Sequence, residues 1–149
     1  MLIVLEGCDG SGKSTVAEHL KNILPNAEIV HCTTDTPNDY DFFSNLLYSA
    51  GGNDRYIIAD RFCYGQFVYQ RPEERHLTDE QLIELETRML SQRAKVIHVA
   101  ASVDEIEDRL TLRGEKTGLS VETICDRYLD LFENKSLIKP YVWWTGRDE

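Results

Sequence analysis

The stretch Gly7-Cys8-Asp9-Gly10-Ser11-Gly12-Lys13-Ser14 sets three glycines and one lysine directly behind the apolar run "LIVLE" at 2–6. A turn needs one glycine, or two. Glycines at this spacing let a loop take positive backbone angles and point its amide hydrogens inward, which forms a nest for an anion. Gly7, Gly12, Lys13 and Ser14 fit the pattern G-x-x-x-x-G-K-[ST], and the context is strand before, helix after, as that pattern requires. The helix starting near Gly12 adds the positive end of its dipole. Lys13 is spaced to reach β- and γ-phosphates, and the Ser14 hydroxyl to ligate magnesium. Gly10, Ser11 and Thr15 complete the cradle. A random chain of this length would match the pattern about once in two hundred. The loop is expected to hold a polyphosphate, with ATP and Mg2+ as the cofactors.

A second group with chemistry in it is Arg109 and Arg113, four residues apart on one predicted helix face just before Gly114, with Lys116 following in a polar segment. Two converging guanidiniums on a lid, at about 113–120, suit phosphoryl transfer, where charge spreads over the moving group. The competing expectation is a solvated helix face, since Asp104, Glu105, Glu107 and Asp108 lie close by. Aromatic residues are also concentrated: Tyr40, Phe42, Phe43, Tyr64, Phe67 and Tyr69. Most are expected in the core, with Phe43 and Tyr69 the candidates to stack on a base.

These groups need elements to position them, and the apolar pattern supplies five strand-like runs, at 2–6, 27–31, 56–60, 95–100 and 141–144. Between them lie helical patterns at 13–24, 39–50, 77–94, 102–114 and 120–135, and a short aromatic helix after Arg61 running to about Tyr69. Thr78 followed by Gln81 marks a capping box, and Gly51-Gly52 and Gly114 mark helix ends. Continuous apolar strands alternating with helices predict a parallel sheet covered on both faces. We expect a three-layer α/β/α fold, as a single domain over 1–149.

Composition excludes several classes. Apolar residues are 42% and charged residues 28%, ordinary for a soluble domain. No apolar run approaches the ~20 residues of a membrane span, and Met1 leads straight into "LIVLE" without a secretory signal pattern. No membrane partner and a cytoplasmic location are expected. Cys8, Cys32, Cys63 and Cys125 are scattered, without zinc or disulfide spacing, and read as free thiols. The formal net charge of -10 disfavours a nucleic-acid partner, yet leaves room for a small anionic ligand in a local positive pocket.

Taken together, "LIVLEGCDGSGKST", "DRFCYGQFVYQ" and "VIHVAASVDEIEDRLTLRG" resemble the thymidylate kinases and their deoxynucleotide-kinase relatives among the P-loop kinases. The likeness covers most of the chain and implies a five-stranded parallel sheet in the order 2-3-1-4-5. It implies that Asp60 orients magnesium and that Arg61 binds the acceptor phosphate. It also implies that Asp9 meets the acceptor sugar's 3′-hydroxyl, and that Tyr69 and Gln70 close an acceptor-binding segment. Against these roles stand a strand-end ion pair for Asp60 and Arg61, and a loop-stabilising side chain for Asp9. The implied activity is ATP- and Mg-dependent phosphorylation of a deoxynucleoside monophosphate, thymidylate or a related pyrimidine nucleotide first. The alternatives are a deoxynucleoside kinase and a non-catalytic nucleotide-binding module. The partner is a small nucleotide acceptor, and a homodimer is compatible with it.

The acceptor half departs from the family. No arginine or lysine occurs in "HCTTDTPNDYDFF", where the family grips the acceptor phosphate, and the helical insertion before Asp60 is missing, as is the final helix. A compact, phage-type member fits that pattern. Arg71 or Arg75 would then be the replacement cation. Asp35, beyond the second strand, is the candidate base if the acceptor is a hydroxyl.

Overall fold

The computed structural model describes residues 1–32, 39–51 and 54–146. Five strands form one sheet: β1 (Leu2–Glu6), β2 (Ala27–His31), β3 (Tyr56–Asp60), β4 (Lys95–Ala100) and β5 (Tyr141–Trp144). Every pairing is parallel and the order is β2-β3-β1-β4-β5, as expected from the sequence. The helices are α1 (Lys13–Ile23), α2 (Tyr40–Ala50), α3 (Gly65–Tyr69), α4 (Asp79–Ser91), α5 (Val103–Arg113) and α6 (Val121–Asp130).

The sheet has two apolar faces because its central strands are mostly apolar, with β1 buried at every position. Ile3, Leu5, Ile58 and Val99 face α1, which buries Val16, Ala17 and Leu20 against them. Leu2, Val4, Ile57 and Ala59 face the other way and pack with Phe43 and Leu47 of α2, Leu82, Leu85 and Met89 of α4, and Ile124 of α6. Coverage is lopsided: one helix on one face, and most of the helical mass on the other.

Local chemistry fixes the element ends. Asp39 caps α2 by accepting from the Phe42 N–H at 3.0 Å, and Thr78 and Gln81 form the capping box at α4. Ser102 and Ser120 cap α5 and α6, and Gly114 ends α5 in the left-handed region at φ 68. Two boundaries differ from the expected ones. The pattern at 77–94 yields a helix that stops at Ser91, because Arg93 turns left-handed (φ 58) and the Ala94 N–H bonds back to the Met89 carbonyl at 2.9 Å. The pattern at 120–135 splits into α6 and a π-helical turn, Leu131–Lys135. Within the expected loop after α3, Pro72–Glu74 form a 3-10 turn.

Parallel register brings the carboxyl ends of the central strands level. Leu5 pairs with Asp60, His31 with Asp60, and Glu6 with His98. The strand order reverses direction at β1, which has β3 on one side and β4 on the other, and that switch point opens a crevice.

Candidate active site

The crevice is a cleft of about 850 Å³ above the ends of β1, β2 and β3. Its floor is the glycine loop: Asp9, Gly10, Gly12, Lys13, Ser14 and Thr15 all line it. Gly7 sits where the loop leaves β1, and a Cβ there would stand 2.3 Å from the Val99 carbonyl oxygen, so only glycine lets β4 run this close. Gly12 takes φ 102 to cap α1, whose first backbone bond runs from the Val16 N–H to the Gly12 carbonyl at 3.1 Å.

Lys13 is 7% exposed, and its ammonium donates to the carbonyls of Gly7 at 3.0 Å and Cys8 at 3.3 Å, while Asp9 lies 3.9 Å away. Burial, then the nearby Arg61 charge, lowers its pKa, and Asp9 opposes the shift. A cation held this way gains from an anion entering the loop. Ser11 points the same way: its hydroxyl is buried with no hydrogen-bond partner among the described residues.

Arg61 follows β3 in the left-handed region, φ 70, with its N–H bonded to the Leu5 carbonyl at 2.9 Å. That turn swings the guanidinium across the cleft, where it bonds the Asp9 carboxylate and donates to the Tyr69 hydroxyl at 3.3 Å. The same guanidinium carbon stands 4.8 Å from the centre of the Tyr69 ring. The ion pair thus joins Arg61 to the loop rather than to Asp60. Asp60 instead meets His31, Nδ1 to Oδ2 3.1 Å.

Beneath Arg61 lies Glu6, fully buried, which accepts from the Phe62 N–H and the Tyr128 hydroxyl, each at 3.1 Å. Burial raises its pKa, and the Arg61 charge opposes that rise. Glu6 and Tyr128 carry no motif signal. The only trace in the sequence is a carboxylate closing an otherwise apolar strand.

The remaining sequence candidates separate. Arg113, Glu115, Lys116, Thr117 and Gly118 form one wall of the cleft. Arg109 does not face it. Its guanidinium donates to the carbonyls of Gly10 at 3.1 Å, Ser11 at 3.2 Å and Thr145 at 2.9 Å, and bonds Glu105 at 3.2 Å. The two lid arginines therefore diverge: Arg109 braces the loop from outside, and Arg113 stays half-exposed, 4.0 Å from Glu115. Phe43 lines the cleft but is 1% exposed, edge-on to Phe62 with ring centres 4.9 Å apart. Tyr69 and Gln70 are half-buried in the wall, and the Gln70 Oε1 has no partner among the described residues. Arg71 is occupied by Glu74 at 3.0 Å, and Arg75 lies over the Phe67 ring at 4.5 Å, so neither replaces the missing cation in the cleft. Asp35 lies outside the described residues.

The residues fit a nucleotide triphosphate with a hard cation. A glycine cradle, a buried lysine and an orphan serine hydroxyl each have an N–H or O–H to donate, the complement of a polyphosphate. Ser14 and Asp60 both line the same cleft, and their side-chain oxygens are the kind a hard cation takes. Among the described residues no group of three His, Cys, Asp or Glu side chains is placed to hold a metal ion.

A family model described as "AAA domain" matches residues 1–139. The chain belongs to that family. Its phosphate loop and parallel sheet are the parts such P-loop domains share. The chain is also 30% identical over 95 residues to a probable thymidylate kinase of Halorubrum lacusprofundi, 47% of this chain and 48% of that one. The match thus spans about half the length of this curated relative. Among solved structures, the YorR protein of Bacillus subtilis in complex with phosphorylated GDP is 28% identical, with TM-score 0.79 over 97% of this chain and 86% of that one. The thymidylate kinase of Candida albicans aligns at 18% identity and TM-score 0.63, over 99% and 84%. The fold is that of a P-loop nucleotide kinase.

Proposed function

We propose that the protein transfers the γ-phosphoryl group of ATP, with magnesium, to a deoxynucleoside monophosphate, thymidylate or a related pyrimidine deoxynucleotide first. The observation that carries the reading is Arg61, held in the cleft beside the phosphate loop by Asp9 of that loop and by Tyr69. A monophosphate acceptor is already ionised near neutral pH and needs no base. It needs a fixed cation to hold it and to offset repulsion from the donor.

Each side chain then has a task. The loop amides and Lys13 hold the donor phosphates, and Lys13 follows the charge as it moves. Ser14 and Asp60 would hold magnesium, which supplies neutralising charge between the phosphates when bound. Arg61 grips the acceptor phosphate, Asp9 fixes Arg61 and faces the acceptor sugar, and Tyr69 with Gln70 borders the acceptor. Arg113 and Lys116, on the wall opposite, bring further positive charge to the transferring group, while Arg109 keeps the loop in shape. The likeness to a probable thymidylate kinase supports this assignment.

The test is ADP production with ATP and magnesium across a panel of nucleosides and monophosphates. Pyrimidine deoxynucleoside monophosphates should react faster than their nucleosides. A panel in which nucleosides react and monophosphates do not would overturn the reading and make Asp35 the first candidate base. No turnover with tight ATP binding would leave a binding module.

A further inference from the structure

Asp60 ends β3 and lines the cleft, its side chain 12% exposed. Arg61, its neighbour in sequence, turns away to Asp9. Among the described residues one side chain alone hydrogen-bonds the Asp60 carboxylate: His31, the last residue of β2, Nδ1 to Oδ2 3.1 Å. Register builds the contact. His31 and Asp60 are partners in the parallel β2–β3 ladder, which continues through the Cys32 N–H to the Asp60 carbonyl at 3.1 Å.

We propose that His31 is a positioning residue: its Nδ1–H holds one oxygen of the Asp60 carboxylate and leaves the other for the magnesium that accompanies the nucleotide. The inference rests on the magnesium role assigned to Asp60 and uses nothing of the acceptor.

A carboxylate accepts and does not donate, so the hydrogen in this bond belongs to Nδ1. The bond forms with the ring neutral or protonated, and it ties down Oδ2 in both states. Oδ1 has no hydrogen bond among the described residues. The His31 side chain is 61% exposed, and a contact so open to water adds little to folding. Its place is more telling than its strength, because His31, Asp60, Lys13 and Ser14 all line one cleft. The Asp60 charge is also felt in the phosphate loop: burial and then Arg61 lower the Lys13 pKa, and Asp9 and Asp60 oppose the shift.

Magnesium demands near-octahedral geometry and gives up its waters reluctantly. A carboxylate free to turn about its last torsion offers its oxygens in many directions, whether it meets the ion directly or through a water. Holding Oδ2 removes that freedom in advance. Outer partners of this kind are worth about 10- to 100-fold in metal affinity.

The experiment titrates manganese, a paramagnetic substitute for magnesium, into the full chain saturated with ADP, and reads free and bound ion by electron paramagnetic resonance. His31→Leu should weaken manganese binding by about tenfold or more. His31→Asn, whose amide can donate from nearly the same place, should restore most of it. Metal-free ADP affinity and melting temperature should stay close to the parent's in both. Asp60→Asn should lose at least as much as His31→Leu. Adding His31→Leu to it should cost nothing further, because a residue acting through Asp60 then has nothing to position. Unchanged manganese binding in His31→Leu, equal losses in the leucine and asparagine variants, losses that add in the double variant, or an equal fall in metal-free ADP affinity would each overturn the proposal. Parental manganese binding in Asp60→Asn would overturn it as well, by removing the magnesium role of Asp60. Turnover enters none of these measurements, so a failed acceptor panel and a failed role for His31 are seen apart.

Discussion

Arg61 shows how one residue can be asked for two incompatible things. Its side chain is required across the cleft, and its backbone sits at φ 70, where a Cβ is strained. Arg61→Ala keeps the strain and loses the guanidinium, whereas Arg61→Gly loses both. We expect the glycine variant to be the more stable by about 1 kcal/mol in urea unfolding, and both to use the acceptor poorly while binding ATP almost normally. Equal urea midpoints would remove the strain argument. Normal acceptor KM in both would remove Arg61 from the acceptor site. Lys13 makes the complementary case, a buried cation held by two carbonyls with the Asp9 carboxylate 3.9 Å away. Lys13→Ala should cut kcat by about 100-fold or more, since it removes charge that acts on the transferring group, with melting temperature nearly unchanged. Retained turnover would show that the loop is not where phosphate is transferred.

At the scale of elements, the lid is the part with least to hold it. Residues from Gly114 to Gly118 run along the cleft, nearly all exposed, and neither Gly114 nor Gly118 has any neighbouring atom within 4 Å of its Cβ position. Few buried contacts mean low local stability, so Gly114 to Leu119 should exchange amide hydrogens fast in the free protein and slow markedly with a bound bisubstrate nucleotide. Equal exchange in both states would mean that Arg113 and Lys116 are surface charges. Strands and helix caps were legible in advance because each is dictated locally, by apolar runs, by glycine at the α5 end, by Thr78 with Gln81, while the strand order came with the resemblance to the P-loop kinases. The loop was legible for the same reason. What could not be read was where long side chains turn. Arg109 and Arg113 share a spacing, yet one is captured by the carbonyls of Gly10, Ser11 and Thr145, residues distant in sequence. Glu6 with Tyr128 and His31 with Asp60 are likewise pairings created only when the sheet assembles. Phe43 looked free to stack, and tertiary packing placed it edge-on against Phe62 instead.

For the molecule as a whole, the same packing sets how stability follows pH. His98, at the Glu6 level of the sheet, packs against the rings of Tyr128 and Phe132, each 5.5 Å away, and burial lowers its pKa from 6.5 to about 4. Below pH 6.5 the unfolded chain therefore takes up a proton that the folded chain refuses. Stability is lost as pH falls from about 6.5 to about 4, by up to about 3 kcal/mol, and changes no further through this group below that. Glu6 acts in the opposite sense. Its raised pKa makes the folded state the better proton binder, so its contribution grows as pH falls toward 4.5. The observed curve is the difference of two buried groups that face the same tyrosine, so the wild-type profile alone does not separate them. His98→Gln does. Subtracting its unfolding free energies from those of the parent, measured by urea between pH 4 and 8, should leave a difference that is flat above pH 7.5 and falls steadily from 6.5 to 4. A difference flat across that lower window would mean that His98 accepts its proton in the folded state, and that the aromatic packing around it opens to water.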